Sequence, residues 1–120
     1  MKTMYNAVML SGNLGSAIEL TQLSSGSQVA RVPIATNEYY RDGNGNPKKQ
    51  TQWHNLVAWG NTAQRMQRCL TKGSFVIIHG KLVNRQYLDR DGNTRYLTEV
   101  VVREFSWIKS NPQPAAQHAA

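Results

Sequence analysis

An all-β fold with a single helix is predicted for this chain of 120 residues from three observations. Apolar and polar residues alternate through most of the sequence, which is the period of a strand with one buried face. Glycine-containing turn segments such as SSGS and DGNGNP separate the alternating stretches. Only NTAQRMQRCL, residues 61–70, spaces its apolar residues as a helix does.

The alternation predicts strands at residues 6–11, 18–22, 28–40, 51–59, 74–87 and 95–107. The Asp-Gly pair in LDRDGNTRYL predicts a hairpin whose long arms, residues 83–88 and 95–100, protrude from the fold. No internal repeat is expected. About five strands with a helix between the third and fourth predict a five-stranded Greek-key barrel of the OB type with long β-hairpin arms, and an SH3-like barrel is the main alternative.

The length is suited to one domain, which we expect to span residues 1–108. Residues 109–120, ending in NPQPAAQHAA, contain little that a core could bury and are expected to be a short disordered tail. No segment has the composition of a membrane span or a signal peptide, so a cytoplasmic, nucleoid-associated protein is expected. The single cysteine, Cys69, cannot form an internal disulfide or a thiolate zinc site.

The charge of the chain points to a polyanionic partner. Fourteen Lys and Arg residues against seven Asp and Glu residues give a formal net charge of +7 and a pI of about 9.9. A basic patch is the electrostatic signature of nucleic-acid binding. A solvated basic surface without a ligand is the alternative.

The two-residue period assigns side chains to strand faces. In QTQWHNLVAWGN, Trp53 and Trp59 fall on one face of a strand and His54 on the other. In the strand at residues 74–87, the face suited to a barrel interior comprises Val76, Ile78, Gly80 and Leu82. The opposite face comprises Phe75, Ile77, His79, Lys81, Val83, Arg85 and Tyr87. A core would not accept this mixture, so part of that face must contact a ligand or another subunit.

Aromatic rings among cations favour single-stranded nucleic acid as the ligand. Bases of any identity stack on the rings while Lys and Arg contact the phosphates, whereas the bases of a duplex are already stacked on each other. Simple packing is the alternative for any one of these aromatic residues. Several of them on one face of a basic chain weaken that alternative.

Five segments resemble the bacterial single-stranded DNA-binding protein family in order and spacing. They are AVMLSGNLG (7–15), ATNEYYRD (35–42), QTQWHNLVAWG (50–60), KGSFVIIHGKL (72–82) and RYLTEVVV (95–102). The resemblance extends to about Trp107, and GNLG together with the Trp-His pair is specific. It implies an OB fold, a homotetramer, and sequence-independent binding of single-stranded DNA during replication, recombination or repair.

The resemblance also implies site residues. The stacking aromatic residues fall on Tyr40, Trp53, Trp59 and Tyr87. Asn55, Asn61 and Gln86 stand where many members have a basic residue, which displaces the expected phosphate contacts towards Arg31, Lys48, Lys49, Lys72, Lys81 and Arg85. Subunit contacts are expected at His54, Ile77 and His79.

The chain departs from the family at its end. Members usually end in an acidic, Phe-containing tip that recruits repair proteins, whereas this sequence ends PAAQHAA and resembles a short form without that tip. We therefore expect no tip-mediated recruitment of repair proteins. Such a protein would suit a specialised or accessory role beside a full-length paralogue, and the sequence leaves open whether it is that or the main genomic protein.

Three alternatives remain at this point: a primosomal-protein-like dimeric OB protein that restarts replication, an RNA-binding OB module, and an enzyme that acts on nucleic acid. The set of stacking aromatic residues and the Trp-His pair disfavour the first. Enzymatic activity is not expected, because no carboxylates converge with a base or a cation to form a catalytic site or a metal site. No cofactor, metal or membrane partner is expected.

Overall fold

The structure, a computed structural model, describes residues 5–108, which form six strands and one helix. The elements are β1 (Val8–Leu14), β2 (Glu19–Gln22), β3 (Gln28–Arg41), β4 (Pro47–Trp59), α1 (Gly60–Cys69), β5 (Phe75–Leu88) and β6 (Thr94–Trp107). The predicted elements are confirmed to within a few residues at each end. The largest difference is at β4, which begins at Pro47 because β3 and β4 stay paired up to their connecting turn. The predicted tail, residues 109–120, lies outside the described residues.

The sheet closes into the predicted OB-type barrel. Its strand order is β1-β5-β6-β4-β3-β2, and β1 also pairs with β3. Because β1 and β2 pair with successive parts of β3, they together occupy one position in a five-stranded barrel. The helix α1 follows β4 and therefore lies between the third and fourth barrel strands, as predicted.

The barrel core is aliphatic and is covered at one end by α1. Alternate residues of the strands, including Ile34, Leu56 and Ile78, are fully buried, and Ala63 and Met66 of α1 pack against them. The helix has no side-chain N-cap and only ten residues, so its stability depends on this packing.

Two glycines allow backbone segments to approach closely. A Cβ atom at Gly12 would overlap the carbonyl oxygen of Ala35, where β1 passes from β5 to β3. A Cβ atom at Gly80 would overlap the carbonyl oxygen of Val101, beside the β-bulge of the β5–β6 pair. A side chain at either position would therefore force two paired strands apart.

Two β-hairpins extend beyond the barrel. The first arm comprises residues 36–52 of β3 and β4, and the second arm comprises residues 82–98 of β5 and β6.

The prediction that Leu82 lies in the barrel interior was wrong, since its side chain is 45% exposed. The pairing of β1 with β5 ends at Gly80, so Leu82 lies on a strand edge, where the side chain of Asn6 hydrogen-bonds to its backbone N–H and C=O at 2.9 Å.

The arms end in turns with matching hydrogen bonds. In each turn the first residue, Asp42 or Asp89, accepts backbone N–H groups from the residues two and four positions later at 2.9 Å. The fourth residue, Gly45 or Gly92, has a φ of +80° or +81°. Such a conformation favours glycine.

The sequences of the two arms also match. Residues 37–51 and 84–98 align without a gap and are identical at Asn37/Asn84, Tyr40/Tyr87, Asp42/Asp89, Gly45/Gly92, Asn46/Asn93 and Thr51/Thr98. In each arm the Thr hydroxyl donates to the Asn side-chain oxygen across the strands at 2.7 Å. The expectation of no internal repeat was therefore wrong at the scale of a hairpin.

Substituting Gly12 tests the close approach at barrel closure. Gly12→Ala should lower the free energy of unfolding by about 1–3 kcal/mol, because the added methyl group meets a carbonyl oxygen that cannot move without breaking the β1–β3 pairing. Gly43→Ala is the control, since a Cβ atom there meets nothing within 4 Å. Urea unfolding measures both variants, and equal midpoints would contradict the steric argument.

Candidate nucleic-acid interface

The outward sides of β3, β4, β6 and β5 form one continuous surface, called here the outer face. Residues of the other parity on these strands, such as Ile34 and Leu56, are buried in the core, which fixes the side that faces outward. The predicted contact residues on the outer face are Arg31, Lys49, Trp53, Trp59, Lys81, Arg85 and Tyr87. The fold thus joins residues of three separate segments into one surface.

Trp53 is displayed on the surface and is not part of the core. Its side chain is 61% exposed, and its indole ring lies against Gly15 and beside Pro33. A Cβ atom at Gly15 would come within 2.8 Å of the ring atom Cζ3 and 3.2 Å of Cη2. The glycine at the end of the GNLG motif therefore makes room for the ring, and the backbone supports it while much of the ring stays open to a ligand.

Trp59 is displayed at the other end of the same strand. It is 44% exposed and lines a groove of about 500 Å3 with Gly26, Ser27, Gln28, Gly60 and Gln64. The side-chain amide of Gln64 donates a hydrogen bond to that of Gln28 beside the ring. The groove therefore offers an aromatic surface with polar groups at its border.

The two predicted tyrosines lie on opposite sides of the sheet. Tyr87 lies on the outer face, whereas Tyr40 and its cross-strand neighbour Lys48 have the parity of the buried Ile34 and face the other way. Tyr39, which is 56% exposed, lies on the side of Trp53 and was missed by the sequence reasoning. Side chains alternate between the two faces along β3, so the odd-numbered Tyr39 must lie on the face opposite to that of the buried Ile34. This alternation would have identified Tyr39 from the sequence.

A buried carboxylate links two of the predicted cations. The Nε–H of Arg85 donates to Oε1 of Glu99 at 2.9 Å, and the Nε–H of Arg31 donates to Oε2 at 3.3 Å. The side chain of Glu99 is only 5% exposed. Its hydrogen bond and negative charge raise the pKa of Arg85. Arg31 and Arg85 thus share one anion, which the sequence reasoning missed because an isolated Glu in a strand gives no signal of its partners.

The four predicted lysines do not all lie on the outer face. Lys49 and Lys81 lie on the outer face, while Lys48 lies 3.8 Å from a carboxylate oxygen of Asp42. Lys72 lies in the loop before β5, where the next residue, Gly73, donates its backbone N–H to Leu14. This contact places Lys72 near the Gly15 that supports Trp53.

At the tip of the second arm, the Nε–H of Arg95 donates to Oδ2 of Asp89 at 2.8 Å. This hydrogen bond is the largest effect that lowers the pKa of Asp89. A carboxyl whose pKa is depressed on folding contributes stability that is present above its unfolded pKa, about 3.9. That contribution is lost as the pH falls through the folded value, so the ion pair is intact near neutral pH.

The predicted subunit contacts fall in two places. Ile77 and His79 lie on the outward side of the β1–β5 pair, where Met9 is the direct partner of His79 and is 71% exposed. His54 has the opposite parity on β4, and its Nε2 lies 3.0 Å from Oγ1 of Thr36. Met9 was missed by the sequence reasoning, because Val8, Met9 and Leu10 do not alternate in polarity.

Comparisons with known proteins agree with this geometry. Residues 5–108 match the Single-strand binding protein family. Single-stranded DNA-binding protein 1 of Chlorobaculum tepidum is 38% identical over 104 residues, which cover 86% of this chain and 64% of that protein. The chain thus spans less than two thirds of that relative's length.

Solved structures show the same fold. A Plasmodium falciparum SSB in complex with ssDNA superposes with a TM-score of 0.78 at 26% identity, over 90% of this chain and 98% of that chain. A deletion mutant of the single-stranded DNA binding protein from Thermus aquaticus superposes with a TM-score of 0.76 at 21% identity, over 88% of this chain and 51% of that chain.

Replacing the buried carboxylate tests its contribution to stability. Glu99→Gln should lower the free energy of unfolding by about 1–3 kcal/mol, because the charge that two arginines share is lost from a buried position. Glu38→Gln, on an exposed part of β3, should change it by less than about 0.5 kcal/mol. Chemical unfolding measures both variants, and equal stabilities would show that the two ion pairs are not needed for folding.

Proposed function

The chain belongs to the single-strand binding protein family, and from that premise we propose that it coats single-stranded DNA without sequence preference during replication, recombination or repair. The observation that carries the proposal is the pair of exposed indoles, Trp53 and Trp59, on the outer face of a chain with net charge +7. The named relative and the ssDNA complex of a structural neighbour support it. The binding domain in this proposal is residues 1–108.

The mechanism follows from the exposed rings. Unpaired bases stack on Trp53, Trp59 and Tyr87, and stacking is indifferent to base identity because every base has a π-face. Lys49 and Lys81 lie on the same face and contact phosphates, while Tyr40 and Lys48 bind nucleotides on the reverse side of the first arm. A duplex cannot use the rings, since its bases are stacked inside the helix.

Arg31 and Arg85 have a second role in this mechanism. Each uses its Nε–H for Glu99, and the side chains are 50% and 41% exposed. Their remaining guanidinium N–H groups bind phosphate, while Glu99 holds the two arginines at fixed positions between the arms. Lys72 contributes a further phosphate contact beside Trp53.

The exposed apolar side chains of β1 and β5 indicate self-association. Met9 and Ile77 are 71% and 43% exposed on one side of the β1–β5 pair, beside His79. Large apolar side chains grouped on a surface mark protein interfaces. We propose a homotetramer in which Ile77 and His79 form one contact and His54 another.

The proposed activity is binding without catalysis in the cytoplasm. Within residues 5–108, no three His, Cys, Asp or Glu side chains are grouped as a metal site. The helix α1 has ten residues, and no helix in the described part of the chain could span a membrane.

Titration with oligo(dT), followed by quenching of tryptophan fluorescence, tests the proposed function. Log affinity should fall with log salt concentration at a slope of about −0.7 for each phosphate contacted. A duplex of equal length should bind far more weakly, because its bases cannot stack on the indoles. Equal affinity for duplex and single strand would refute the proposal, and a preference for matched RNA would favour an RNA-binding module instead.

Trp53→Ala should weaken binding of single-stranded DNA by about 1–3 kcal/mol, the range for one base stacked on one ring. The fold should persist, because the ring is 61% exposed and its removal leaves no buried cavity. Tyr96→Ala is the matched control, since Tyr96 is 73% exposed on the side of the second arm that faces away from Tyr87. Titrations of both folded variants measure the difference, and equal affinities would exclude Trp53 as a stacking surface.

Light scattering without DNA tests the oligomeric state. We expect a tetramer at micromolar concentration, and Ile77→Glu should shift it towards smaller species because it places a charge in the proposed apolar contact. Asn84→Glu, on an exposed position of the same strand, is the control. A monomeric wild-type protein would contradict the proposed assembly, and a dimer would favour the primosomal-like alternative.

A further inference from the structure

The tips of the two arms present the same pair of side chains. In each arm, the second cross-strand pair from the turn joins a tyrosine to a cation. Tyr40 lies opposite Lys48, and Tyr87 lies opposite Arg95. The tyrosines are exposed to similar extents, 52% and 45%. Each cation forms an ion pair with the Asp that begins its own turn.

The relation between the arms explains why equivalent residues lie on opposite faces of the sheet. The second strands of the two arms, β4 and β6, run parallel and are neighbours, while β3 and β5 lie outside them. A half-turn about a line between two parallel strands exchanges the strands and also exchanges the two faces of the sheet. β4 and β6 pair with an offset of 44 residues and the arms align with an offset of 47, so the half-turn must be combined with a shift of three residues along the strands. The combined operation relates Tyr87 on the outer face to Tyr40 on the reverse face.

We propose that Arg95 contacts the phosphate of the nucleotide whose base stacks on Tyr87, its cross-strand neighbour. The proposal rests on the proposed function and adds to it a contact that the sequence did not indicate. Lys48 has the matching role beside Tyr40.

The geometry at Arg95 suits a phosphate. Its Nε–H is held by Asp89 at 2.8 Å, and the side chain is 59% exposed. Asp89 is itself fixed, because its Oδ1 accepts the backbone N–H groups of Asp91 and Asn93. The carboxylate therefore orients the guanidinium, and the Nη groups stay available for the paired hydrogen bonds that Arg makes with phosphate oxygens.

Charge variants at the second tip test the proposal. Arg95→Gln should reduce the magnitude of the salt slope for oligo(dT) by about 0.7, the value for one phosphate contact. Lys48→Gln should give a similar reduction. Arg90→Gln removes the same charge from an exposed position in the same turn and should leave the slope unchanged.

A double variant separates contact from net charge. Asp89→Asn with Arg95→Gln keeps the net charge of the chain, and Asn keeps the Oδ1 atom that accepts the two turn hydrogen bonds. The slope should remain reduced in this variant, and Arg95→Lys should restore it. If Arg95 serves only to hold the turn, the double variant will lower the Tm and keep the wild-type slope, which would overturn the proposal.

These measurements distinguish a failure of the Arg95 proposal from a failure of the proposed function. A wild-type protein that fails to bind oligo(dT) would refute single-strand binding. A wild-type protein that binds, with Arg95→Gln indistinguishable from Arg90→Gln, would refute only the role of Arg95.

Discussion

The outer face depends on a short parallel contact between β4 and β6. Leu56 and Val57 of β4 pair there with Val100 and Val101 of β6. Parallel neighbours need a crossover connection, and here it includes α1 and β5. Without this contact the hydrogen-bonded sheet would join the β3–β4 and β5–β6 hairpins only through β1. With it, Trp53 of one hairpin and Tyr87 of the other lie on a single surface, and the arms diverge from a common base.

The ion pairs at that base fix the positions of two positive charges, those of Arg31 and Arg85. Glu99 is buried beside the parallel contact and binds arginines from β3 and β5, so it ties the bases of the two arms together. Removing an unpaired carboxylate from water is costly, and the two guanidinium groups offset that cost. The formal charge of +7 already includes the negative charge of Glu99, so these pairs change where positive charge lies and leave its net amount unchanged. At the tips of the arms, Asp42 pairs with Lys48 and Asp89 pairs with Arg95. Each pair restricts the motion of an exposed cationic side chain beside the turn.

Most of the fold could be predicted from local patterns, because strand alternation and turn glycines act over a few residues. The errors arose where a side chain's environment depends on distant segments. Leu82 has the parity of the core, yet the pairing of β1 with β5 ends at Gly80 and leaves it on an edge. The hairpin repeat was overlooked because its identities are sparse and lie mainly in the turns, where only the hydrogen bonds of Asp42 and Asp89 make the equivalence evident.

The sequence by itself determined the barrel, the helix, the exposed tryptophans and the resemblance to a family that binds single strands. The barrel and the helix follow from residue type and short-range period, and the display of the tryptophans follows from the resemblance. Only the tertiary structure decided that Tyr87 shares a surface with Trp53 while Tyr40 lies on the reverse side, that Arg31 and Arg85 share Glu99, and that Arg95 lies beside Tyr87. Cross-strand register and barrel closure set these relations between residues far apart in the chain, and no local pattern in the sequence encodes the partner of a given side chain.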